Sequence, residues 1–438
     1  MFKTLQNAFK IKEIRQKLVF TFLMIVVIRL GSQLPVPGVN RTFLAQWLAQ
    51  NTGDAFNLID SFTGGSLASM SLFALGINPY ITSSIIMQLL TIAIPKLEEM
   101  QKDGEDGRKK IQNITRYVTI ALALIEGSAM TIGFSGQGLL ENPTWYNIAV
   151  VVITLTAGSA FLMWIGERIT QNGVGNGISI VLLVNIVSRI PDDFYRLYTM
   201  FIQNRSVAKG VLAGVIILAV ILVTVVFVIV LQDGERRIPV QYSKKLQGRK
   251  VVGGQSTHIP MKVNTAGVIP VIFASSLMSF PGVIASLIGK GGGTGMGSKI
   301  LRALSSGSWC NPKEPVYSLG LLLYIVLVVF FAYFYTSITF NPMEIADNMK
   351  KQGGFVPGIR PGRPTTEYLT KILNYIVFIG AIGLIIVCVI PIFFNGVFGA
   401  NVSFGGTSII IIVGVVLETL KQIESQMAVR YYKGFLND

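Results

Sequence analysis

Ten apolar runs constrain this chain more than any other feature. They lie near 18–34, 76–95, 115–134, 146–166, 177–190, 209–231, 264–288, 317–339, 370–394 and 405–422. A helix needs roughly 20 apolar residues to cross a hydrocarbon core of about 30 Å, and most of these runs meet or approach that length. Backbone N–H and C=O groups find no partner in lipid, so runs of this kind must satisfy them internally as helices. The expected fold is an all-α polytopic membrane protein with ten transmembrane helices. Composition agrees: of 438 residues, 51% are hydrophobic and 13% charged. A soluble domain carries about 25% charged residues.

Ten spans place both termini on one side of the membrane. With the amino terminus inside, the inner segments carry 27 of the 37 Lys and Arg residues and the outer loops carry 9, with Arg29 inside the first run. Basic residues concentrate on the cytoplasmic face of membrane proteins, so both termini are expected in the cytoplasm. The first run follows Lys3, Lys10, Lys12, Arg15 and Lys17 and ends before Pro35 and Pro37. That pattern predicts a span rather than a cleaved signal peptide. Five spans in each half, 1–205 and 206–438, would give the halves opposite orientations. This is the arithmetic of an inverted repeat with a path between its halves, and it rests here on span count alone.

Three connections stand out. The outer segment 35–75 contains a mildly amphipathic stretch, too short to span and broken by Gly64-Gly65. It reads as a short helix or re-entrant segment leading into the second run, tolerated at depth only if buried in protein or lining a cavity. The inner loops 232–262 and 341–369 are rich in Lys, Arg, Gly and Pro. They are far longer than tight helix–helix turns. Residues Arg236-Arg237-Ile238-Pro239-Val240-Gln241-Tyr242 alternate enough to predict a β-hairpin arm.

Catalytic material is sparse. His258 is the only histidine, and Cys310 and Cys388 are the only cysteines. One histidine leaves almost nothing for metal chemistry or a Ser-His-Asp triad, and two cysteines so placed form no disulfide framework. The Gly289–Lys299 stretch lacks the GxxxxGK[ST] spacing of a phosphate loop, and 173–177 lacks the dinucleotide fingerprint. Net charge is +15, but most basic residues sit in short loops between runs, which argues against a nucleic-acid face. Intramembrane ionisable residues, the usual mark of proton relays and ion sites, are limited to Arg29, Glu126 and, at the edges, Glu167 and Glu418. Gln88, Thr91, Asn185, Asn264, Thr265 and Ser275 are isolated polar residues in aliphatic runs that together could line a seam.

Seven stretches carry a resemblance, in order along the chain: Asn78-Pro79-Tyr80-Ile81-Thr82-Ser83-Ser84-Ile85-Ile86-Met87-Gln88-Leu89-Leu90, Gln112–Tyr117, Gly173-Val174-Gly175-Asn176-Gly177-Ile178-Ser179, Arg237–Tyr242, Asn264–Pro270, Gly358–Gly362 and Gly405–Ser408. Together they resemble the SecY family, whose members form the large subunit of the bacterial protein-conducting channel. The resemblance covers nearly the whole chain. It implies a clamshell of two pseudo-symmetric inverted halves around an hourglass pore. Its implied function is to pass unfolded secretory polypeptides across the bacterial cytoplasmic membrane and release transmembrane segments sideways into lipid.

The same resemblance implies roles for residues. A closing ring of aliphatic side chains maps to Ile81, Ile85, Ile178, Leu182, Ile272 and Ile411. Spacing i, i+4 puts Ile81 with Ile85, and Ile178 with Leu182, on single helix faces. Branched aliphatic side chains would exclude water and ions by dewetting yet yield to a polypeptide. A plug maps to 57–74, with Ile59, Phe62, Gly64, Gly65 and Leu67, the glycine pair permitting close packing beneath the ring. A lateral gate maps to the helices of Gln88, Thr119 and Asn264, whose hydrogen bonds would hold it shut. Docking maps to Arg360, Lys244, Lys245, Arg249 and Lys250. Implied partners are the SecE and SecG subunits, the SecA ATPase, the ribosome, preproteins with their signal sequences, and membrane lipids. No cofactor or catalytic role is implied. A small-solute secondary transporter also fits ten spans, but it predicts midplane ionisable residues and leaves the long arms unexplained. An intramembrane enzyme would need a catalytic pair that the sequence does not offer. The outer loop 289–315 fits no pattern of the family.

Overall fold

The structure is a computed structural model. It describes residues 9–40, 42, 46, 60, 62–203, 207–242, 245–247, 250–252, 256–287, 296–304, 309–310, 315–398 and 406–434. A helix stands at each of the ten apolar runs: α1 (Lys12–Gly31), α2 (Asn78–Ala93), α4 (Glu105–Phe134), α5 (Trp145–Asn172), α6 (Gly177–Leu197), α7 (Val207–Asp233), α8 (Ile269–Leu287), α10 (Leu319–Thr339), α12 (Arg363–Phe398) and α13 (Gly406–Gly434). Shorter helices α3 (Pro95–Lys102), α9 (Met296–Leu304) and α11 (Pro342–Lys351) join them. Five described stretches are long and apolar enough to cross a membrane, namely Glu105–Phe134, Trp145–Asn172, Gly214–Asp233, Pro315–Lys351 and Arg363–Phe393. The bent pair Asn78–Ala93 and Pro95–Gln101 would make a sixth.

Helix α7 explains why these runs are helical. It is dense in Val and Ile, which lose χ1 freedom in helices and have only modest helix propensity. In lipid the alternative is an unpaired backbone, so propensity is overridden. Its outer surface is correspondingly apolar, with Val211, Val215, Leu218, Val223 and Val230 each more than 60% exposed. A patch of that extent suits a hydrocarbon solvent rather than water.

Several boundaries differ from the sequence expectation, each for a local reason. Helix α4 begins ten residues before its apolar run, because the polar stretch from Glu105 continues the helix out of the membrane, acidic residues in its first turn complementing the helix dipole. Helix α8 begins at Ile269 instead of 264, with Asn264–Val268 in turns and Pro270 in its first turn. The α2 helix stops at Ala93. Pro95 forces Ile94 into extended backbone, and α3 leaves at 107°. The loop 289–315, expected on the outer side, contains α9 among its described residues. It is pinned by the buried Trp309, whose Nε1 donates to Ala303 O at 2.8 Å.

The expected hairpin arm is present. Strands β1 (Glu235–Tyr242) and β4 (Ser256–Lys262) pair antiparallel from Glu235↔Lys262 to Gln241↔Ser256, and β2 (Lys245–Gln247) pairs with β3 (Lys250–Val252). A finding beyond the sequence reading is that the two long loops are one body. Strand β5 (Gly354–Phe355) adds to β1 in the order β4-β1-β5. Ile238, Val240 and Met261 share a core with Ala346, Met349 and Val356 from the second loop and with Leu369 and Leu373 of α12.

Packing divides along the chain. One apolar cluster draws only on residues 36–155, and two others only on residues 225–417. A fourth draws on both ends of the chain, from Ile28, Phe73 and Leu162 to Ile411 and Val415.

Candidate functional site

That shared cluster is where the predicted ring residues meet. Leu182 and Ile411 are buried in it, and Ile81, Ile178 and Ile272 pack against it half-buried. Four different helices, α2, α6, α8 and α13, supply these five side chains. Ile85 stands apart. It lines an apolar gap between α2, α8 and α10 with Leu89, Phe273 and Phe331, so the structure does not join it to the other five.

The Gly173–Ser179 motif positions Ile178 and Leu182. Asn176 caps α6, its side-chain oxygen accepting from the Ile178 N–H at 3.1 Å and the Ser179 N–H at 3.5 Å. A Cβ on Gly177 would collide with the carbonyl of Gly166 on α5, so the two helices cross at backbone contact. Thr170 Oγ1 accepts from the Gly177 N–H at 2.9 Å, and Thr21 Oγ1 on α1 accepts from the Val174 N–H at 3.1 Å. A rigid turn thus sets the register with which α6 presents its inner face.

In the segment expected to close the pore, helical backbone gives way to turns. Helical backbone ends at Thr63, and 64–77 is a chain of tight turns apart from a bridge at Ser71. The cause is the glycine pair, with φ of +68° at Gly64 and +83° at Gly65, in the left-handed region that ends helices. Phe62 packs on the shared cluster. Leu67 is buried in the neighbouring core of residues 36–155. Close packing at the glycine pair is present: a Cβ on Gly64 would lie 3.0 Å from the Asn185 main chain of α6. Asn185 Nδ2 donates to Phe62 O at 3.0 Å. At its far end the segment is tied to the chain after α1, with the Leu72 N–H donating to Leu34 O at 2.7 Å. Ile59 lies outside the described residues.

Two residues of this region were absent from the sequence-derived set. Asp60, 2% exposed, and Arg189 form an ion pair at 2.9 Å between the segment at 60–77 and α6. A signal existed for Arg189 alone. Ile178, Leu182, Asn185 and Arg189 are spaced 4, 3 and 4, so one helix stripe carries ring residues at one end and polar anchors at the other.

The expected gate cluster does not form as a hydrogen-bonded set. Thr119 Oγ1 donates to Thr115 O in its own helix at 2.7 Å, a bond any span could make. Asn264 Nδ2 is buried without a partner, and Gln88 is exposed with its side chain against the Tyr335 hydroxyl. The polar link between α2 and α4 is instead Ser83 Oγ donating to Thr115 O at 2.8 Å. Toward the carboxyl end of α5, Glu167 accepts from Arg116 Nε at 2.8 Å and Gln112 Nε2 at 3.2 Å, which gives the Gln112–Tyr117 motif a structural partner.

Of the residues expected to dock a partner, Arg360 is exposed beyond the turn that follows β5, its carbonyl accepting from Thr365 Oγ1 at 2.8 Å. Lys245 and Lys250 lie on the small β2–β3 hairpin at the end of the first arm. Lys244 and Arg249 lie outside the described residues. Both cysteines are free, and no group of three or more His, Cys, Asp or Glu side chains that could hold a metal occurs among the described residues.

Comparison with known proteins identifies the relatives. A family model described as SecY matches residues 71–420. The protein translocase subunit SecY of Halalkalibacterium halodurans is 44% identical over 444 residues, covering 100% of both chains. That of Streptomyces galbus is 44% identical over 450 residues and that of Bacillus subtilis 42% over 447, again with 100% of both chains covered. Among solved structures, a protein conducting channel superposes with a TM-score of 0.63 at 18% identity, covering 94% of this chain and 92% of that one. A SecY protein whose plug domain stabilises the closed state of its channel superposes at 0.61 with 19% identity and the same coverage. Sec61 from a canine ribosome-channel complex superposes at 0.60 with 18% identity, again with that coverage.

Proposed function

We infer that this chain, which belongs to the SecY family, is the central subunit of a protein-conducting channel in the bacterial cytoplasmic membrane. It passes unfolded polypeptides across and releases apolar segments sideways into lipid. The observation that carries this reading is the convergence of Ile81, Ile178, Leu182, Ile272 and Ile411, from four helices, on one apolar cluster against which Phe62 of the segment at 60–77 also packs. A constriction lined only by aliphatic side chains holds back water and ions by dewetting and offers no site to bind a solute.

In this reading the ten helices are ten spans with both termini in the cytoplasm. Residues 1–205 and 206–438 form the two halves of a clamshell, supported by the separate apolar clusters of each stretch. The segment at 57–74 is the plug. The gate opens between α2 with α4 on one side and α8 with α10 on the other, where Ile85, Gln88, Leu89, Phe273, Phe331 and Tyr335 line a gap that a signal sequence would widen. The fused arms present Arg360 with Lys244, Lys245, Arg249 and Lys250 to the negative surfaces of SecA or the ribosome. SecE and SecG complete the complex. The polypeptide's passage needs no catalytic group from this chain, since a partner supplies the energy.

The test replaces Ile81, Ile178 and Ile272 together with Gly in the translocase, reconstituted in vesicles. Resting ion leak and tolerance of defective signal sequences should both rise. Unchanged values of both would sink the pore assignment.

A further inference from the structure

The closing segment is fastened to the wall by a charge pair as well as by apolar contact. Asp60 uses its two carboxylate oxygens differently. Oδ1 accepts from the Ala68 N–H at 2.9 Å and so folds the segment back on itself, aided by the Asp60 carbonyl, which accepts from the Gly65 N–H at 3.0 Å. Oδ2 faces outward to Arg189 Nη2 at 2.9 Å on α6. The side chains are 2% and 15% exposed. Arg189 also covers the glycine pair, its Nη1 lying 3.1 Å from where a Cβ on Gly65 would stand, and its Nε is buried without a partner.

We propose that Arg189 is a positioning residue for channel closure: its ion pair with Asp60 latches the plug to the same face of α6 that carries the ring residues Ile178 and Leu182. The proposal rests on the channel reading above. A buried pair contributes little net stability, because desolvating both charges offsets their attraction, whereas removing one partner strands the other. Opening moves the segment into an aqueous vestibule and rehydrates both groups. The pair therefore fixes where the segment sits without locking it there. It adds direction to a closure that apolar packing alone would leave free to slide.

The asymmetry between one and two substitutions is the test. Arg189→Gln, Arg189→Lys, Asp60→Asn and the double variant Asp60→Asn with Arg189→Gln are compared with wild type in the reconstituted complex, beside the triple-glycine ring variant. The readouts are resting ion leak and translocation of a preprotein with a defective signal sequence. Arg189→Gln should raise the leak by roughly ten- to a hundredfold, as for a stranded buried charge. Asp60→Asn with Arg189→Gln, which keeps the Oδ1 acceptor for Ala68, should bring the leak back toward wild type, as should Arg189→Lys. A structural defect unrelated to the pair would not be rescued by a second substitution. The proposal is overturned if Arg189→Gln leaves the leak at the wild-type level while the ring variant leaks, or if the double variant leaks as much as the single. A ring variant that does not leak overturns the channel reading instead.

Discussion

Gly64 occupies left-handed backbone with the Asn185 main chain only 3.0 Å from the site of a missing Cβ. An alanine there meets both penalties, and the conformational one alone costs about 1–3 kcal/mol. The segment is a set of turns rather than part of a long helix, so the cost falls on its docking and not on the global fold. Gly64→Ala should therefore raise resting ion leak while the thermal unfolding midpoint of the purified complex moves little. A large midpoint drop with no leak would contradict it. Asn264 presents the opposite case. Its buried Nδ2 lacks a partner, and an unsatisfied donor costs about 1–3 kcal/mol. Asn264→Leu should raise the unfolding midpoint, whereas a gate held by a hydrogen bond from Asn264 would lose stability on the same change.

Among the elements, the α5–α6 crossing depends on absent side chains. With Gly177 against the Gly166 carbonyl, even one methyl group forces the helices apart and tilts the stripe that holds Ile178, Leu182, Asn185 and Arg189. Overpacking of this kind costs about 1–3 kcal/mol. Gly177→Ala should lower the unfolding midpoint and raise ion leak together, since it disturbs ring and closing segment at once. A stable, tight variant would show that the crossing does not set the ring. The α4–α5 contact is held by Glu167, 10% exposed, bonded to Arg116, 35% exposed. Removing the carboxylate in Glu167→Ala should cost about 1–2 kcal/mol, discounted from the full buried value because Arg116 stays partly solvated. Equal midpoints for Glu167→Ala and wild type would place this pair among surface contacts of no consequence.

For the molecule as a whole, joining the two loops through β5 makes one rigid platform. Gly354 lies against the Tyr242 ring, where a Cβ would come within 2.9 Å, so Gly354→Val should unseat β5 from β1. Protease nicking in 341–369 should then accelerate. If Arg360 docks a negatively charged partner, Arg360→Glu should weaken partner binding and partner-driven translocation without changing resting leak. Exposed charges more than about 10 Å apart are largely screened at 0.1 M salt, so the defect should be largest at low ionic strength. A leak in Arg360→Glu would mean that platform and ring are coupled in a way the separate clusters do not suggest.

What the sequence determined by itself was the set of long helices and the first strand of the arm. Apolar runs of spanning length leave the backbone no option but helix, and the stretch Arg236–Tyr242 alternates as a strand must. The motifs contain Ile81, Ile85 and Ile178, and the local reason is visible for one of them: Asn176 and Gly177 set the turn that presents Ile178. Contacts between distant segments were not legible. Asp60 and Arg189 are separated by more than a hundred residues, and although Arg189 continues a helix stripe, nothing in the sequence pairs it with Asp60. Gln88, Thr119 and Asn264 looked alike as polar interruptions yet have different neighbours. The fusion of the arms depends on two residues of β5 that no periodicity marks. Periodicity reports which face of an element is apolar, while partner choice is decided by the packing of whole elements. Only the tertiary structure brings the segment at 60–77 against α6 and pairs Asp60 with Arg189 there.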